Sequence, residues 1–125
     1  MMKSVESDQP FGIGIDIAEI APFRNARPHF LEMVFTRHEI ERCRRSDEPS
    51  RAYALAWAAK EAATKAVDGA VPVVSWETVG DRMVPVQWRE TPTVSNRWMV
   101  RWQECRTHSD CVAVVVRAWR VKEAA

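Results

Sequence analysis

Apolar residues recur along this chain at two spacings, one typical of strands and the other of helices. Residues 11–17 (FGIGIDI) alternate small and branched apolar residues, which predicts a short buried strand. Residues 19–34 carry apolar positions at helical spacing, but Pro22 and Pro28 interrupt them. One or two short helical pieces are therefore expected in that segment.

Two longer helices are predicted from the residues at their ends. Thr36 and Glu39 have the spacing of a capping box, which predicts a helix over residues 37–45. A longer helix over residues 49–67 begins with proline, is rich in Ala, contains no internal Gly or further Pro, and stops before Gly69.

The second half of the chain has the pattern of strands. Four segments rich in branched and aromatic residues are predicted strands: residues 71–79, 84–88, 98–102 and 111–119. Pro85 favours an edge position for the second of them, and residues 89–97 are expected to form a loop. Because a strand, then helices, then further strands follow one another, the predicted fold class is α+β.

Composition describes an ordinary globular protein. Of the 125 residues, 46% are hydrophobic and 28% are charged, which fits a single domain. We expect this domain over residues 11–121, between a flexible leader (1–10) and a short tail (122–125). The formal net charge of +1 disfavours a nucleic-acid partner, so an RNA-binding α+β module is the weakest of the functions considered.

The same composition favours a cytoplasmic protein. No apolar run approaches the roughly 18–20 residues needed to span a bilayer, and the polar leader does not resemble a signal peptide. Cys43, Cys105 and Cys111 form no C-x-x-C pair, which argues against both a disulfide framework and a zinc site. The sequence thus predicts no membrane partner and a reducing compartment.

Two carboxylates stand out by their predicted positions. Asp16 lies within the apolar strand, where a carboxylate is costly unless it is paired, bound to a metal or used as a helix cap. Glu61 and Lys65 share a face of the long helix, and Lys60 lies on the adjacent stripe. Glu61 and Lys65 are either an ordinary surface pair or, with Asp16, part of a Mg²⁺ and phosphate site. The residues alone leave both interpretations open.

Three motifs resemble those of holo-acyl-carrier-protein synthases, which are 4′-phosphopantetheinyl transferases. Residues 12–20 (GIGIDIAEI) resemble the family's G-x-D-I-x-E-I opening. Residues 30–39 (FLEMVFTRHE) resemble its F-L-x-x-x-F-T-x-x-E segment, and residues 57–66 (WAAKEAATKA) resemble its F-A-x-K-E-A-x-x-K-A helix. The resemblance is carried by about residues 11–69 and is thinner in a divergent C-terminal half.

The resemblance implies a small α+β fold with helices packed on a mainly antiparallel sheet, typically as a homotrimer with active sites between neighbouring subunits. It implies transfer of phosphopantetheine from coenzyme A to a serine of an acyl carrier protein. By the motif match, Asp16 and Glu61 hold Mg²⁺, while Lys65 contacts the phosphates with Lys60 as a helper. The serine proton would go to Glu61 or to a metal-bound water, and both remain open.

Several family positions differ in this chain. Pro22 stands where the family usually has a carrier-docking arginine, and Arg24 is the candidate substitute. His108 is either a displaced equivalent of the family's late histidine, which helps bind the nucleotide end of coenzyme A, or an exposed turn residue. Arg42 and Arg45 form either a solvated helix end or a docking patch for an acidic carrier. The alternative function is a diverged, inactive or altered homologue that binds carrier proteins as an accessory subunit.

Overall fold

A computed structural model of the protein describes residues 5–7, 9–86, 98–105 and 108–121. In chain order the elements are β1 (Gly12–Glu19), a 3₁₀ turn (Ala21–Phe23), α1 (Pro28–Val34), α2 (Arg37–Arg44), α3 (Pro49–Ala66), a second 3₁₀ turn (Val73–Ser75), β2 (Trp76–Val79), β3 (Arg82–Pro85), β4 (Trp98–Glu104) and β5 (Cys111–Arg120). The predicted α+β class is confirmed. Within the described residues no helix is long and apolar enough to cross a bilayer.

The strands form one antiparallel sheet in the order β1-β5-β4-β3-β2. The strand that comes first in the chain therefore lies at an edge, beside the strand that comes last. Asp16 is opposite Val114 in this pairing, and Ile15 is opposite Val115. The long helix α3 packs across one face of the sheet, mainly against β1 and β5.

The core lies between this inner face of the sheet and α3. The inward-facing residues of β5 have no exposed surface: Val112, Val114, Val116 and Ala118. α3 meets them with small side chains that are also fully buried: Ala54, Ala58, Ala59, Ala62 and Ala63. Because alanine adds little bulk, the helix axis can lie close to the sheet, which is why an Ala-rich segment forms the central helix here.

The outer face of β1 is uncovered. Ile13, Ile15 and Ile17 alternate with the inward-facing residues and are 60%, 60% and 66% exposed. A row of branched apolar side chains on an edge strand is uncommon in a monomeric protein, where such strands are usually protected.

Two details predicted for the second half are wrong. Residues 71–75 are not a strand, because β2 begins at Trp76 after the 3₁₀ turn. Pro85 is not on an edge strand, since β3 lies between β2 and β4. The proline is the last residue of β3, and the pairing of β3 with β4 is through Arg82 and Arg101. The pairing with β4 is therefore at the Arg82 end of β3, so the missing N–H of Pro85 does not interrupt the β3–β4 ladder.

The described part of the segment before β1 contacts the end of β5. Val5 bridges Val121, and the Glu6 N–H donates to the Arg120 carbonyl oxygen at 2.9 Å. Other predictions lie outside the described residues: leader positions 1–4 and 8, the strand end at 87–88, the loop at 89–97 and the tail at 122–125.

Candidate active site

The alternation of β1 directs Asp16 toward α3. Gly12, Gly14 and Ala18 share this inner face of the strand. The Asp16 side chain is only 11% exposed, so its carboxylate lies at the interface between sheet and helix.

Gly12 and Gly14 allow α3 to approach the backbone of β1. A Cβ atom on Gly14 would lie 1.9 Å from the carbonyl oxygen of Ala62, and one on Gly12 would lie 1.8 Å from that of Ala66. Backbone atoms cannot move aside as a flexible side chain can, so any larger residue would push strand and helix apart. The two glycines therefore set the separation between Asp16 and the helix residues that face it.

Lys65 links α3 to β1. Its Nζ donates to Asp16 Oδ1 at 2.8 Å and to the Ile15 carbonyl oxygen at 3.2 Å. The hydrogen bond to Asp16 raises the pKa of Lys65 above its usual value, so Asp16 stabilises the charged form of the ammonium. The side chain remains 56% exposed, so the ammonium is accessible to a bound anion.

Glu61 lies one helical turn before Lys65 and within electrostatic reach of Asp16. Burial raises the pKa of Glu61, the Asp16 carboxylate raises it further, and Lys65 opposes both effects. The structure thus brings Asp16, Glu61 and Lys65 together between β1 and α3.

One oxygen of Asp16 has unmet hydrogen-bonding capacity. Oδ2 is buried and has no hydrogen-bond partner among the described residues, which is costly for a carboxylate. A divalent cation would satisfy this oxygen and offset the repulsion from Glu61. Mg²⁺ commonly takes one or two protein carboxylates and completes its shell with water and phosphate. The donor set fits Mg²⁺, and in the described part of the chain no three or more His, Cys, Asp and Glu residues group as metal ligands.

Lys60 does not join this group. Its side chain is fully buried, with Nζ 2.6 Å from Glu39 Oε1. Nζ also donates to the carbonyl oxygens of Val34 at 3.0 Å and Trp76 at 2.7 Å. Because all three ammonium protons have acceptors inside the protein, the predicted contact of Lys60 with coenzyme A does not agree with this position.

His108 lies in the turn between β4 and β5, with its side chain 72% exposed. Its Nδ1 is 3.4 Å from the backbone nitrogen of Asp110 and 3.8 Å from Asp110 Oδ2. The Asp110 carbonyl oxygen accepts a hydrogen bond from the Ile20 N–H at 3.0 Å, which ties the turn to the end of β1. These contacts are those of a turn residue, and a role of His108 in coenzyme A binding stays a prediction.

The three arginines predicted to dock a carrier differ in their surroundings. Arg24 follows the first 3₁₀ turn and Arg45 follows α2, and both are exposed. Arg42 is exposed as well, but its guanidinium donates to Thr78 Oγ1 and so ties α2 to β2. Docking stays a prediction for all three.

The sequence did not reveal the second role of Glu39. The predicted capping box is confirmed: Thr36 Oγ1 accepts from the Glu39 N–H at 3.2 Å, and Glu39 Oε1 accepts from the Thr36 N–H at 2.9 Å. Glu39 is also completely buried, and its Oε2 accepts from the Thr78 N–H and Oγ1, each at 2.8 Å. A signal was available in Cys43, an apolar residue one turn later on the same helix face, which is buried too.

Comparison with known proteins gives the family that the motifs resemble. Residues 12–116 match the model of the 4′-phosphopantetheinyl transferase superfamily. The match extends beyond the three motifs into the strands of the second half, so it includes most of the described fold.

One curated relative, a holo-[acyl-carrier-protein] synthase of Geobacter sulfurreducens, is 43% identical over 60 residues. The aligned segment covers 45% of this chain and 48% of the relative, so the match spans about half of that protein's length.

Two solved structures show the same fold. Holo-[acyl-carrier-protein] synthase from Neisseria meningitidis superimposes with a TM-score of 0.69 at 19% identity, covering 88% of this chain and 98% of that chain. The Helicobacter pylori protein of the same name, solved in complex with coenzyme A, gives a TM-score of 0.63 at 21% identity, covering 85% and 98%.

Proposed function

Because this chain belongs to the 4′-phosphopantetheinyl transferase superfamily, we propose that it is a holo-acyl-carrier-protein synthase. It would move phosphopantetheine from coenzyme A to a serine of an acyl carrier protein. The observation that carries this proposal is the grouping of Asp16, Glu61 and Lys65 between β1 and α3. The names of the relatives and the coenzyme A bound to one structural neighbour support it.

The proposed reaction depends on neutralising charge. Phosphoryl transfer requires that the attacking and leaving oxygens be aligned and that negative charge on the phosphate oxygens be stabilised. Asp16 and Glu61 are the residues that would hold Mg²⁺, which when bound supplies positive charge to the coenzyme A pyrophosphate. Lys65 lies beside them with an exposed ammonium and would bind a phosphate oxygen directly.

Glu61 is the proposed acceptor of the serine proton. The serine oxygen forms a bond to phosphorus as the bond from phosphorus to the bridging pyrophosphate oxygen breaks, and adenosine 3′,5′-bisphosphate leaves. The released proton needs a base. As a half-buried carboxylate beside Asp16 and Lys65, Glu61 is placed to be that base.

The proposed assembly is a homotrimer with active sites between neighbouring subunits. Its support is the uncovered outer face of β1, where Ile13, Ile15 and Ile17 each leave more than half of their surface exposed. Association with second and third copies of the chain would remove these side chains from water.

We expect the acyl carrier protein to dock by charge. Arg24 and Arg45 are exposed basic residues, and the carriers implied by the family are acidic. Complementary charge of this kind increases the rate of encounter and selects the partner.

A cytoplasmic location goes with this activity. Cys43, Cys105 and Cys111 are free thiols, which suits a reducing compartment. Neither nucleic acid nor a membrane has a part in the proposed reaction.

Intact-mass analysis of an apo carrier tests the function. After incubation with coenzyme A, Mg²⁺ and the protein, the carrier should gain the mass of one phosphopantetheine group. Asp16→Asn and Glu61→Gln should each lower the rate by about 100-fold or more, because losing a metal ligand costs at least as much as losing a residue that orients one. Glu41→Gln, a change in an exposed carboxylate that pairs with Arg37 on α2, is the matched control and should keep the rate.

The absence of an adduct on each of several carriers would overturn the proposal, provided that another transferase modifies the same carriers. A stable complex with an apo carrier but no transfer would instead favour the accessory-subunit alternative.

A further inference from the structure

Lys60 and Glu39 form a buried ion pair immediately next to Glu61 in the chain. Both side chains have no exposed surface, and Nζ lies 2.6 Å from Oε1. The pair is completely hydrogen-bonded: the remaining ammonium protons and carboxylate lone pairs are taken by Val34, Thr36, Trp76 and Thr78.

Stability alone is a weak reason for such a pair. Removing two charges from water is expensive, and buried ion pairs can often be replaced by apolar side chains of similar volume without loss of stability. An apolar pair would not fix the orientation of the helices it joins, whereas each hydrogen bond of the ion pair fixes both a distance and an angle. The arrangement therefore indicates that geometry at this point of α3 matters.

The pair joins four parts of the fold at one point. Lys60 comes from α3 and Glu39 from α2. The carbonyl oxygen of Val34 is at the end of α1, while Trp76 and Thr78 belong to β2. The rotation of α3 about its axis is thus fixed relative to α1, α2 and β2.

This rotation decides where Glu61 points. Consecutive helix residues are about 100° apart around the axis, so any turn of α3 that moves Lys60 moves Glu61 by the same angle. On the side facing β1, Gly12 and Gly14 set how close the helix lies, but a close approach does not fix its rotation. The Lys60–Glu39 pair adds a buried restraint on rotation to those that Lys65 and Thr64 of the same helix supply.

We propose that Lys60 and Glu39 are positioning residues that hold Glu61 opposite Asp16. The inference rests on the proposed function, in which the two carboxylates bind Mg²⁺. Neither Lys60 nor Glu39 touches substrate in this scheme. They act through the orientation of α3.

Binding of Mn²⁺, used in place of Mg²⁺ and followed by the electron paramagnetic resonance signal of the free ion, tests the inference without turnover. With coenzyme A present, Lys60→Met and Glu39→Gln should each weaken Mn²⁺ binding by about 10- to 100-fold, the usual cost of losing a residue that orients a metal ligand. The control is Val100→Ala, which creates a cavity at a buried residue of β4 outside this network. It should lower the unfolding temperature while leaving Mn²⁺ affinity unchanged.

The double variant Lys60→Met/Glu39→Leu separates position from stability. It contains no unpaired buried charge, so its unfolding temperature should lie above those of the single variants, although the Thr36 and Thr78 N–H groups lose their acceptor. It should nevertheless bind Mn²⁺ as weakly as they do. Wild-type affinity in the double variant, or in both single variants, would overturn the positioning role alone. If the wild-type protein itself does not bind Mn²⁺ with coenzyme A, both this inference and the proposed metal site fall.

Discussion

Lys65 holds one oxygen of Asp16 and leaves the other without a partner. Its ammonium is 2.8 Å from Oδ1, whereas the buried Oδ2 has no hydrogen-bond partner among the described residues. The same lysine is more than half exposed. It can therefore stabilise the Asp16 carboxylate and contact an anion at once, and the unpartnered oxygen is the one that a cation can take.

Replacing Lys65 by Met should weaken coenzyme A binding. The change removes the exposed positive charge beside the two carboxylates, so the KM for coenzyme A should rise about 10-fold or more, in line with the loss of a hydrogen bond to a charged group. The unfolding free energy should fall by about 1–3 kcal/mol, because the Asp16 carboxylate is only 11% exposed and loses its hydrogen-bond partner. Steady-state rates at varied coenzyme A and at varied carrier measure this. A raised KM for the carrier alone would contradict the assignment of Lys65.

Gly14→Ala should damage both the fold and the activity. The new methyl group would meet the Ala62 carbonyl oxygen, and overpacking of this kind costs about 1–3 kcal/mol or more. Because β1 and α3 must separate, transfer should fall with the unfolding temperature. Gly80→Ala is the control: its φ of +59° strains the new residue, but nothing lies within 4 Å of the added Cβ. It should lose stability and keep transfer. Equal activity in the two variants would refute the role of the close approach.

The thiol of Cys43 should be unreactive in the folded protein. Burial raises its pKa to about 11, and the side chain is 3% exposed. At pH 8 a disulfide reagent such as Ellman's should react with the half-buried Cys105 and Cys111, and with the third thiol only after unfolding. Rapid reaction of three thiols in the native state would contradict this.

The same pKa shift predicts a loss of stability in alkali. The folded state holds the Cys43 proton more tightly than the unfolded state, whose thiol titrates near the usual 9.0. Its contribution is therefore complete below about pH 9 and is lost as the pH rises toward about 11. Between these values the unfolding temperature should fall more steeply for the wild type than for Cys43→Ala. Parallel curves would exclude this contribution.

Ile15→Lys should dissociate the proposed trimer. A charge at the centre of the exposed isoleucine row could not be buried between subunits without a large penalty. Light scattering should give a mass near three times 14.3 kDa for the wild type and near 14.3 kDa for the variant. Val79→Lys, on the opposite edge strand, alters a residue that is 47% exposed and should leave the mass unchanged. A wild-type protein that remains monomeric at micromolar concentration would rule out the trimer.

Arg24→Glu and Arg45→Glu should impair recognition of the carrier. Each reverses an exposed charge, so we expect the KM for the carrier to rise several-fold at low salt and the difference to shrink as salt increases. The KM for coenzyme A should not change. Arg82→Glu, which reverses the charge of an exposed residue of β3, serves as the charge-matched control. The docking assignment fails if all three variants behave alike.

The site could be predicted from the sequence to the extent that its residues lie in local patterns. Asp16 follows two glycines in a segment with strand alternation, and Glu61 and Lys65 are spaced to share one helix face. The few residues around each one were therefore enough to predict its place on a strand or a helix. Their meeting across β1 and α3 needed the family resemblance, because spacing alone gives no distance between elements.

Lys60 and Pro85 show where local patterns do not suffice. α3 is so rich in alanine that its sequence does not show which lysine faces inward, and only the buried carboxylate of Glu39, from another helix, decides it. The position of Pro85 depends on the order of strands in the sheet. That order is set by contacts between distant segments of the chain.

The pairing of β1 with β5 also determines at what stage of chain synthesis the site can form. The strand that carries Asp16 has its hydrogen-bonding neighbour at the other end of the fold, with Gly12 opposite Ala118 and Glu19 opposite Cys111. A ribosome adds residues in order, so Asp16 and Glu61 are both made well before the strand that secures β1. A nascent chain that ends before residue 111 would carry both carboxylates without a fixed separation between them. The metal-binding geometry would then arise only when the last described strand enters the sheet.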